Sequence, residues 1–402
     1  MRTITAASLV LSLAVAASGE ARLETADARI VSGQLLSIAG GRIVLQGDKQ
    51  KHSLALDGVV EVFLLSPEQE QEQEDPMTKL AQKAVLTALG DRLIVDELAV
   101  SGRRLRARCA LLGQSEMPMD LARVIYLPDF AESPDELEKR YREMKLPAAV
   151  GDRLLVRKQA REVLAVDGVL EAIDAKQVTF RWRDQSRKVE RANVPMVRLA
   201  AVRAKTPATG GLLLGRDGSI VHFVSLALDK GVFTLDSPAV GKQSIPLARA
   251  AALRITSDKV TALAELKPSS VKERGYFQTT FHHRVDLAVS GKPLRLGGRT
   301  YRTGLGLHSH CELVYSLARQ YAAFVATVGI DDAVRPNGDA TLTFLGDGRS
   351  LAKPIRLTGK TPPRVVRLDV KGVERLLIRV DFGTDQLGVA DHVDLAGARL
   401  IK

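Results

Sequence analysis

The sequence predicts an all-β protein in which four small β units precede a C-terminal two-sheet β-sandwich. Three observations predict this class. β-branched and aromatic residues alternate with polar ones at period two, glycine-containing turn signals separate the alternating runs, and similar short strings recur along residues 29–256. At 402 residues, with a hydrophobic fraction of 45% and a charged fraction of 26%, the chain has the length and composition of a globular protein with two or three domains.

The first element is a predicted secretory leader over residues 1–21. It has a charged Arg2, an apolar run over residues 6–17, and small residues at positions 18, 19 and 21. The apolar run is shorter than the roughly 20 residues that cross a bilayer, so we expect no integral membrane segment. The leader predicts export to the periplasm or the exterior, and an uncleaved N-terminal anchor is the alternative.

Residues 22–128 and 148–256 are each predicted to hold two β-rich repeats. In each repeat a glycine precedes a β-rich run, a second such run follows, and a short apolar segment containing proline closes the unit. Four imperfect copies begin near residues 29, 89, 150 and 210, and they predict stacked or beaded units resembling SH3-like or Sm-like barrels. Because proline cannot donate to a ladder, each closing proline should lie at a strand start or edge. The closing pieces are Met117-Pro118-Met119, Val194-Pro195-Met196 and Ile245-Pro246-Leu247.

A helical connector is predicted over residues 129–147. Ser133 provides a cap, Pro134 suits the first turn, and the acidic Asp135 and Glu136 favour the positive end of the helix dipole. We expect this helix to end at about Met144.

The net charge of +11 is spread over every segment of the chain, which favours anionic surfaces without identifying a partner. Export lowers the expectation of a nucleic-acid partner. One basic patch surrounds the single Trp182, where RNA or an anionic glycan could bind. The alternation instead favours a solvated outer face with Trp182 pointing inward. The patch consists of Arg181, Arg183, Arg187, Lys188 and Arg191.

Cys109 and Cys311 are the only cysteines, and they lie in different predicted domains. Two cysteines exclude a disulfide framework, and the absence of a CxxC pair gives no support for a zinc site. We expect two buried free thiols, with a single bridge between domains as the alternative.

Residues 257–402 contain three motifs that resemble the NPCBM family. The motifs are 297–309 with its continuation to 317, 324–332 and 391–400, with a hairpin at 346–348 between the last two. Alternation at Leu342 and Phe344, and again at Leu376, Ile378 and Val380, independently predicts sandwich strands with one buried face. The resemblance implies a jelly-roll, galactose-binding-like sandwich with a non-catalytic sugar-binding role. It departs from the expected family pattern at Leu395 and Gly397, where Trp and Asp are expected.

The loops of this domain supply the candidate site residues. A sugar site generally pairs an aromatic face with short polar groups, and Tyr276, Phe277, Tyr301, Tyr315 and Phe382 are the aromatic residues considered. Asp331, Asp391 and Asp394 offer hard oxygen ligands for calcium, with loop capping by aspartate side chains as the alternative. The predicted ligand-binding residues are His308, Asp331, Asp332, Asp391, His392, Asp394 and Tyr301.

The sequence thus predicts an exported, non-catalytic carbohydrate-binding protein with a glycan ligand and no nucleic-acid partner. A structural or protein-interaction role in the envelope is the alternative. A glycoside hydrolase is a weaker hypothesis, because acidic pairs are common by chance and no G-x-S-x-G, H-E-x-x-H or phosphate-binding loop is present. The sequence does not predict an oligomeric state.

Overall fold

The computed structural model describes residues 20–65, 69, 82–127, 132–159, 162–200, 210–275 and 280–402. Its strands confirm the predicted all-β class. The predicted leader lies outside the described residues except for Glu20 and Ala21, which open the first strand. Among the helices in the described ranges, none is long and apolar enough to cross a bilayer.

Four successive units of five or six strands occupy residues 20–255. Unit 1 comprises β1 (Glu20–Thr25), β2 (Ile30–Ala39), β3 (Arg42–Gln46), β4 (Lys51–Ala55) and β5 (Val59–Phe63). Unit 2 comprises β6 (Ala84–Thr87), β7 (Arg92–Ile94), β8 (Glu97–Ser101), β9 (Arg104–Cys109), β10 (Gly113–Pro118) and β11 (Ala122–Tyr126). Unit 3 comprises β12 (Asp152–Gln159), β13 (Glu162–Ile173), β14 (Gln177–Trp182), β15 (Gln185–Glu190) and β16 (Met196–Arg198). Unit 4 comprises β17 (Gly211–Gly215), β18 (Ile220–Phe223), β19 (Ser225–Asp229), β20 (Val232–Ser237), β21 (Gly241–Pro246) and β22 (Ala250–Ile255).

Each unit is an antiparallel meander in which the last strand returns to pair with the first. A one-turn 3-10 helix precedes every last strand, and the closing prolines lie beside it. Pro118 and Pro246 are the last residues of β10 and β21. Each of these strands pairs with one described neighbour, so the N–H group that proline lacks removes no hydrogen bond to a second strand. Strands β1 and β6 begin at Glu20 and Ala84, upstream of the repeat starts predicted near residues 29 and 89.

The last strands join the units in two pairs, unit 1 with unit 4 and unit 2 with unit 3. Last strands β5 and β22 pair antiparallel and join unit 1 to unit 4, while β11 and β16 join unit 2 to unit 3. The same units are joined again by single residue pairs. Leu228 of β19 pairs with Ile38 of β2, and Ile173 of β13 pairs with Val100 of β8. One buried apolar cluster contains residues from all four units. The units are therefore packed through shared sheets and a common core.

The predicted connector helix is present as α1 (Pro134–Glu143). Ser133 caps it in a capping box with Glu136, as its sequence predicts. Leu137 packs into a small apolar cluster with Tyr126, and the Tyr126 hydroxyl donates to the Glu138 carboxylate at 2.6 Å. The helix is thus fixed to the last strand of unit 2.

Trp182 lies partly buried at the end of β14 and packs against the common core. The guanidinium carbons of Arg183 and Arg187 lie 4.5 Å and 5.3 Å from the centroids of its ring system. This arrangement agrees with the predicted inward orientation, because the ring is covered by core atoms and by its own arginine neighbours. Cys109 and Cys311 are buried free thiols, as predicted.

The C-terminal residues form the predicted two-sheet β-sandwich. The front sheet consists of β23 (Val260–Ala262), β25 (Arg284–Val285), β28 (Gly304–His308), β30 (Ala323–Ile330), β34 (Arg364–Asp369) and β36 (His392–Ile401). The back sheet consists of β24 (Ser270–Glu273), β29 (Cys311–Ser316), β31 (Asp339–Gly346), β32 (Arg349–Ser350), β33 (Ile355–Thr358) and β35 (Arg375–Phe382). A separate ribbon pairs β26 (Leu294–Leu296) with β27 (Arg299–Tyr301). Phe324 and Phe344 meet between the sheets with ring centroids 5.4 Å apart.

The sandwich is attached to unit 1 by buried charged groups. Arg399 of β36 donates to the carbonyl oxygens of Thr25 and Ala26 at 2.9 Å and 2.7 Å. Its Nη1 lies 2.9 Å from Glu24, which also accepts a hydrogen bond from Arg299. These contacts hold the front sheet against β1.

Candidate functional site

Six of the seven predicted site residues lie around one end of the sandwich. His308, the last residue of β28, pairs across the sheet with His392, the first residue of β36. The Asp331 N–H donates to the His392 carbonyl at 2.9 Å, and the Asp339 N–H donates to Asp391 Oδ1 at 3.0 Å. The loops after β28 and β30 and before β36 therefore converge, as the sequence interpretation requires.

The centre of this end is an aromatic cluster of Phe281, His308 and His392. The Phe281 ring stacks on His308 with centroids 4.3 Å apart, and the two imidazoles meet edge to face at 5.6 Å. His308 is 4% exposed whereas Phe281 is 38% exposed. The buried imidazole thus supports an aromatic ring that faces solvent.

Phe281 is the site residue that sequence reasoning missed. It precedes the two-residue strand β25, which is too short to show a period-two pattern. Strand β25 pairs with β28, and Gly306 of β28 allows the chain at Leu287 and Ala288 to lie directly against that strand. A Cβ on Gly306 would lie 2.4 Å from the Leu287 carbonyl oxygen. A glycine within a strand can mark such a close approach of backbone, and this is the signal that was available.

Exposed apolar side chains are frequent on the segments that border the aromatic cluster. Val285 and Leu287 follow Phe281, and Leu387 and Val389 precede Asp391, and all four are exposed. Apolar groups grouped at a surface indicate a contact surface more than scattered ones do. The segments beside the aromatic cluster therefore expose apolar side chains to solvent.

Five of the seven histidines of the chain lie in or beside this end. Glu273 binds two of them, with its carboxylate oxygens 2.7 Å from His282 Nδ1 and 2.6 Å from His283 Nδ1. His310 stacks on Phe382 with ring centroids 4.0 Å apart. It also borders a groove of about 260 Å³ on the back sheet, whose lining includes Lys272, Arg274, His310, Glu312, Arg379 and Asp381.

Burial sets the charge of the central groups. It lowers the pKa of His308 to about 4, and the neighbouring His392, whose own pKa is also lowered by burial, adds to the effect. Burial raises the pKa of Asp391 to about 6, against the hydrogen bond from the Asp339 N–H. At pH 7 both imidazoles are therefore neutral, and each can donate one hydrogen bond and accept another.

Asp331 and Asp394 form a second buried feature, near the β26–β27 ribbon. Burial and the nearby Asp331 carboxyl raise the pKa of Asp394 well above its usual range. Asp331 Oδ2 and both carboxyl oxygens of Asp394 are buried without a hydrogen-bond partner among the described residues. Asp332 instead accepts from the N–H groups of Gly297 and Gly298 at 2.9 Å and 2.7 Å, and so fixes the turn of the ribbon.

The calcium prediction is not tested by this geometry. Within the described ranges, no group of three or more His, Cys, Asp or Glu side chains is placed to hold a metal ion. The Asp391 Oδ1 atom is occupied by the Asp339 N–H. Calcium therefore stays a prediction, and the unpartnered oxygens of Asp331 and Asp394 are its main structural support.

The remaining aromatic candidates lie elsewhere or serve the core. Tyr301 lies at the junction with unit 1, where the Arg299 guanidinium carbon is 4.5 Å from its ring centroid. Tyr315 is buried between the sheets, and Tyr276 and Phe277 lie outside the described residues. Leu395, one departure from the expected family motif, is fully buried in the sandwich core.

Comparison with known proteins identifies the C-terminal domain. Residues 259–401 match the NPCBM/NEW2 domain, which confirms the family and the C-terminal placement predicted from the sequence. A curated relative, the "Putative endo-alpha-N-acetylgalactosaminidase" of Renibacterium salmoninarum, is 36% identical over 90 residues. That match covers 22% of this chain and only 6% of the relative's length.

Two solved structures are similar to this chain. The CBM51 module from Clostridium perfringens GH95, in complex with methyl-galactose, is 26% identical with a TM-score of 0.32. It covers 35% of this chain and 99% of its own. The tandem CBM51 modules of Sp3GH98 from Streptococcus pneumoniae are 12% identical with a TM-score of 0.30, covering 92% of this chain and 99% of their own.

Proposed function

We propose that this chain, with its NPCBM/NEW2 domain, is an exported carbohydrate-binding protein that performs no catalysis. The observation that carries the proposal is the solvent-facing Phe281 ring, stacked on the buried imidazole of His308 at one end of the sandwich. A pyranose ring has an apolar face that packs against such an aromatic surface, and its hydroxyl groups need neighbouring polar partners.

Polar groups of the right kind border Phe281. The neutral His392 imidazole lies beside Phe281 with ring centroids 5.9 Å apart, and its buried Nδ1 has no hydrogen-bond partner among the described residues. A neutral imidazole can match the paired donor and acceptor character of a hydroxyl group. These groups favour an uncharged or weakly charged sugar over a strongly anionic one at this end.

Binding without hydrolysis is supported by the environment of the carboxyl groups. A glycosidase needs two carboxyl groups that reach both sides of a scissile bond. Asp391 has a raised pKa suited to an acid, but it is fully buried and its Oδ1 accepts from the Asp339 N–H. Asp394 is fully buried as well. Neither carboxyl is open to a substrate.

A structural role in protein assembly is the second candidate function. It is favoured by the buried Glu24, Arg299 and Arg399 group, which docks the sandwich firmly on unit 1. A domain fixed in this way presents its binding end at a constant orientation relative to the four units. The two candidates are separated by whether a sugar alone is bound.

The test is binding of the purified full chain to a broad glycan panel that includes galactosides and N-acetylgalactosaminides, the latter suggested by the name of the curated relative. We expect one or more sugars to bind, and Phe281→Ala to weaken that binding at least tenfold. Val365→Ala, on exposed β34 of the same domain, is the matched control and should leave binding unchanged. No binding across the panel, or equal losses in both variants, would contradict the proposal.

A further inference from the structure

A second cleft lies far along the chain from the sandwich, between units 2 and 3. It has a volume of about 840 Å³, within the range of small-molecule sites. Its floor is the outer face of β8, β9 and β10, and Ala175 and Arg191 of unit 3 form a wall. The pairing of Ile173 with Val100 fixes this wall to β8, so the cleft is part of the packed structure.

The floor carries cross-strand rows of paired charges. Glu97, Arg108 and Gln114 are register neighbours, and so are Ala99, Arg106 and Glu116. Arg108 lies 2.5 Å from the Glu97 carboxylate, and Arg106 lies 2.8 Å from the Glu116 carboxylate. Each pair holds acceptor oxygens and further N–H donors side by side on an exposed surface. Such rows can bond the vicinal hydroxyl groups of a sugar chain.

Two cations of the cleft have no carboxylate partner among the described residues. Lys83 Nζ approaches only the Asp96 carbonyl oxygen, at 3.4 Å. Arg191 donates through Nη1 to the Asp174 carbonyl oxygen at 3.2 Å, while its Nη2 is buried without a hydrogen-bond partner. Arg191 is 8% exposed. A buried guanidinium without a paired carboxylate is costly, and an anion bound at the cleft would offset that cost.

We propose that the cleft between units 2 and 3 binds a carboxylate-bearing oligosaccharide. The sugar carboxylate is attracted by Lys83 and Arg191, and the hydroxyl groups lie along the Arg106 and Arg108 rows. The charge balance of the lining supports an acidic ligand, because four cations face three carboxylates in a chain whose net charge is +11. The site is separate from the sandwich end, so either can fail without the other.

The experiment titrates the full chain with trigalacturonate, a trisaccharide with three carboxylates, by calorimetry at low salt. Maltotriose, a neutral trisaccharide, and inorganic phosphate are the comparison ligands. We expect trigalacturonate to bind at least tenfold more tightly than either. Lys83→Gln and Arg191→Gln should each weaken that binding at least fivefold, and Phe281→Ala should not change it.

Lys158→Gln is the matched control, because it removes one exposed lysine of unit 3 that does not line the cleft. It should leave trigalacturonate binding unchanged. Circular dichroism melts verify that each variant is folded, and Lys83→Gln keeps the test usable if the change at the buried Arg191 destabilises unit 3. Absence of trigalacturonate binding, equal binding of phosphate, or an equal loss in Lys158→Gln would overturn the proposal.

Discussion

Glu24 in the first strand and Arg399 in the last strand of the chain form a buried ion pair with a nitrogen–oxygen distance of 2.9 Å. Their side chains are 7% and 4% exposed. Arg299 binds the same carboxylate, and the two arginines outweigh the effect of burial, so the pKa of Glu24 is lowered. The Glu24 carboxylate therefore pairs with both buried arginines at the junction between unit 1 and the sandwich.

Replacing Glu24 with Gln should destabilise the whole chain strongly. The change leaves two buried arginines without the carboxylate they share, which typically costs about 3–5 kcal/mol. Urea unfolding at pH 7 measures the loss. Asp57→Asn is the control, because Asp57 pairs with Lys259 at an exposed position near the same junction and should cost less than about 1 kcal/mol. Equal losses in the two variants would contradict a special role for Glu24.

Asp391 should make stability depend on pH. Its folded pKa of about 6 lies above the ordinary value of 3.8. Its contribution to the stability of the folded state is therefore fully present below pH 4 and is lost as pH rises through 6. Asp391→Asn removes this dependence. Between pH 4 and pH 7.5, the free energy of unfolding of the variant should rise by about 2–3 kcal/mol relative to that of the native chain. Urea unfolding at both pH values measures this difference.

His308 acts in the opposite direction and provides a check on that experiment. Its folded pKa of about 4 lies below the ordinary value of 6.5. Its contribution to the stability of the folded state is therefore present above pH 6.5 and is lost as pH falls through 4. His308→Gln should therefore lose less stability than the native chain on acidification. A native-like pH profile in either variant would show that its side chain does not titrate as the burial requires.

Calcium is predicted to stabilise the sandwich through the unpartnered oxygens of Asp331 and Asp394. A ligand at a hundred times its dissociation constant adds about 2.7 kcal/mol to the folded state. Calcium added to chelator-treated protein should therefore raise the melting temperature, and Asp394→Asn should abolish the rise. Magnesium is the control, because it demands a smaller and more regular oxygen shell. No shift with calcium would mean that the two carboxyls share a proton instead.

Ser133 should contribute measurably to the stability of helix α1. Its hydroxyl accepts from the Glu136 N–H at 3.2 Å, and Ser133→Ala should cost about 1 kcal/mol. Ser133→Asp retains a capping oxygen and should cost much less. Hydrogen exchange at the first turn of α1 would show the difference, and equal protection in the two variants would contradict the capping role.

The local features of the fold were predictable from the sequence, whereas the long-range ones were not. Ser133 and Pro246 act on their immediate neighbours, so their positions indicate the cap and the edge strand directly. The pairing of β5 with β22 depends on the register between distant strands, which no local pattern specifies. The buried pair of Glu24 and Arg399 has the same origin.

The residues of the candidate site were also predictable from the sequence only in part. His308 and Asp391 lie in motifs that resemble the family, and the structure brings these motifs together at one end of the sandwich. Phe281 lies in no such motif, and it precedes the short strand β25, whose Arg284 pairs with Gly306 of β28. The aromatic ring of Tyr301 suits a sugar site, but the neighbouring Arg299 and Glu24 hold that part of the chain at the junction. An aromatic residue alone does not reveal which surface it faces.

The pairing of β5 with β22 also sets an order of events during synthesis. Strand β5 leaves the ribosome roughly two hundred residues before its partner, an interval of about 10–40 seconds at usual elongation rates. Until then the outer edge of unit 1 presents unpaired backbone groups, which are prone to join other strands. A nascent chain that stalls before residue 250 would keep this edge open, so completion of the fourth unit is the step that closes the first.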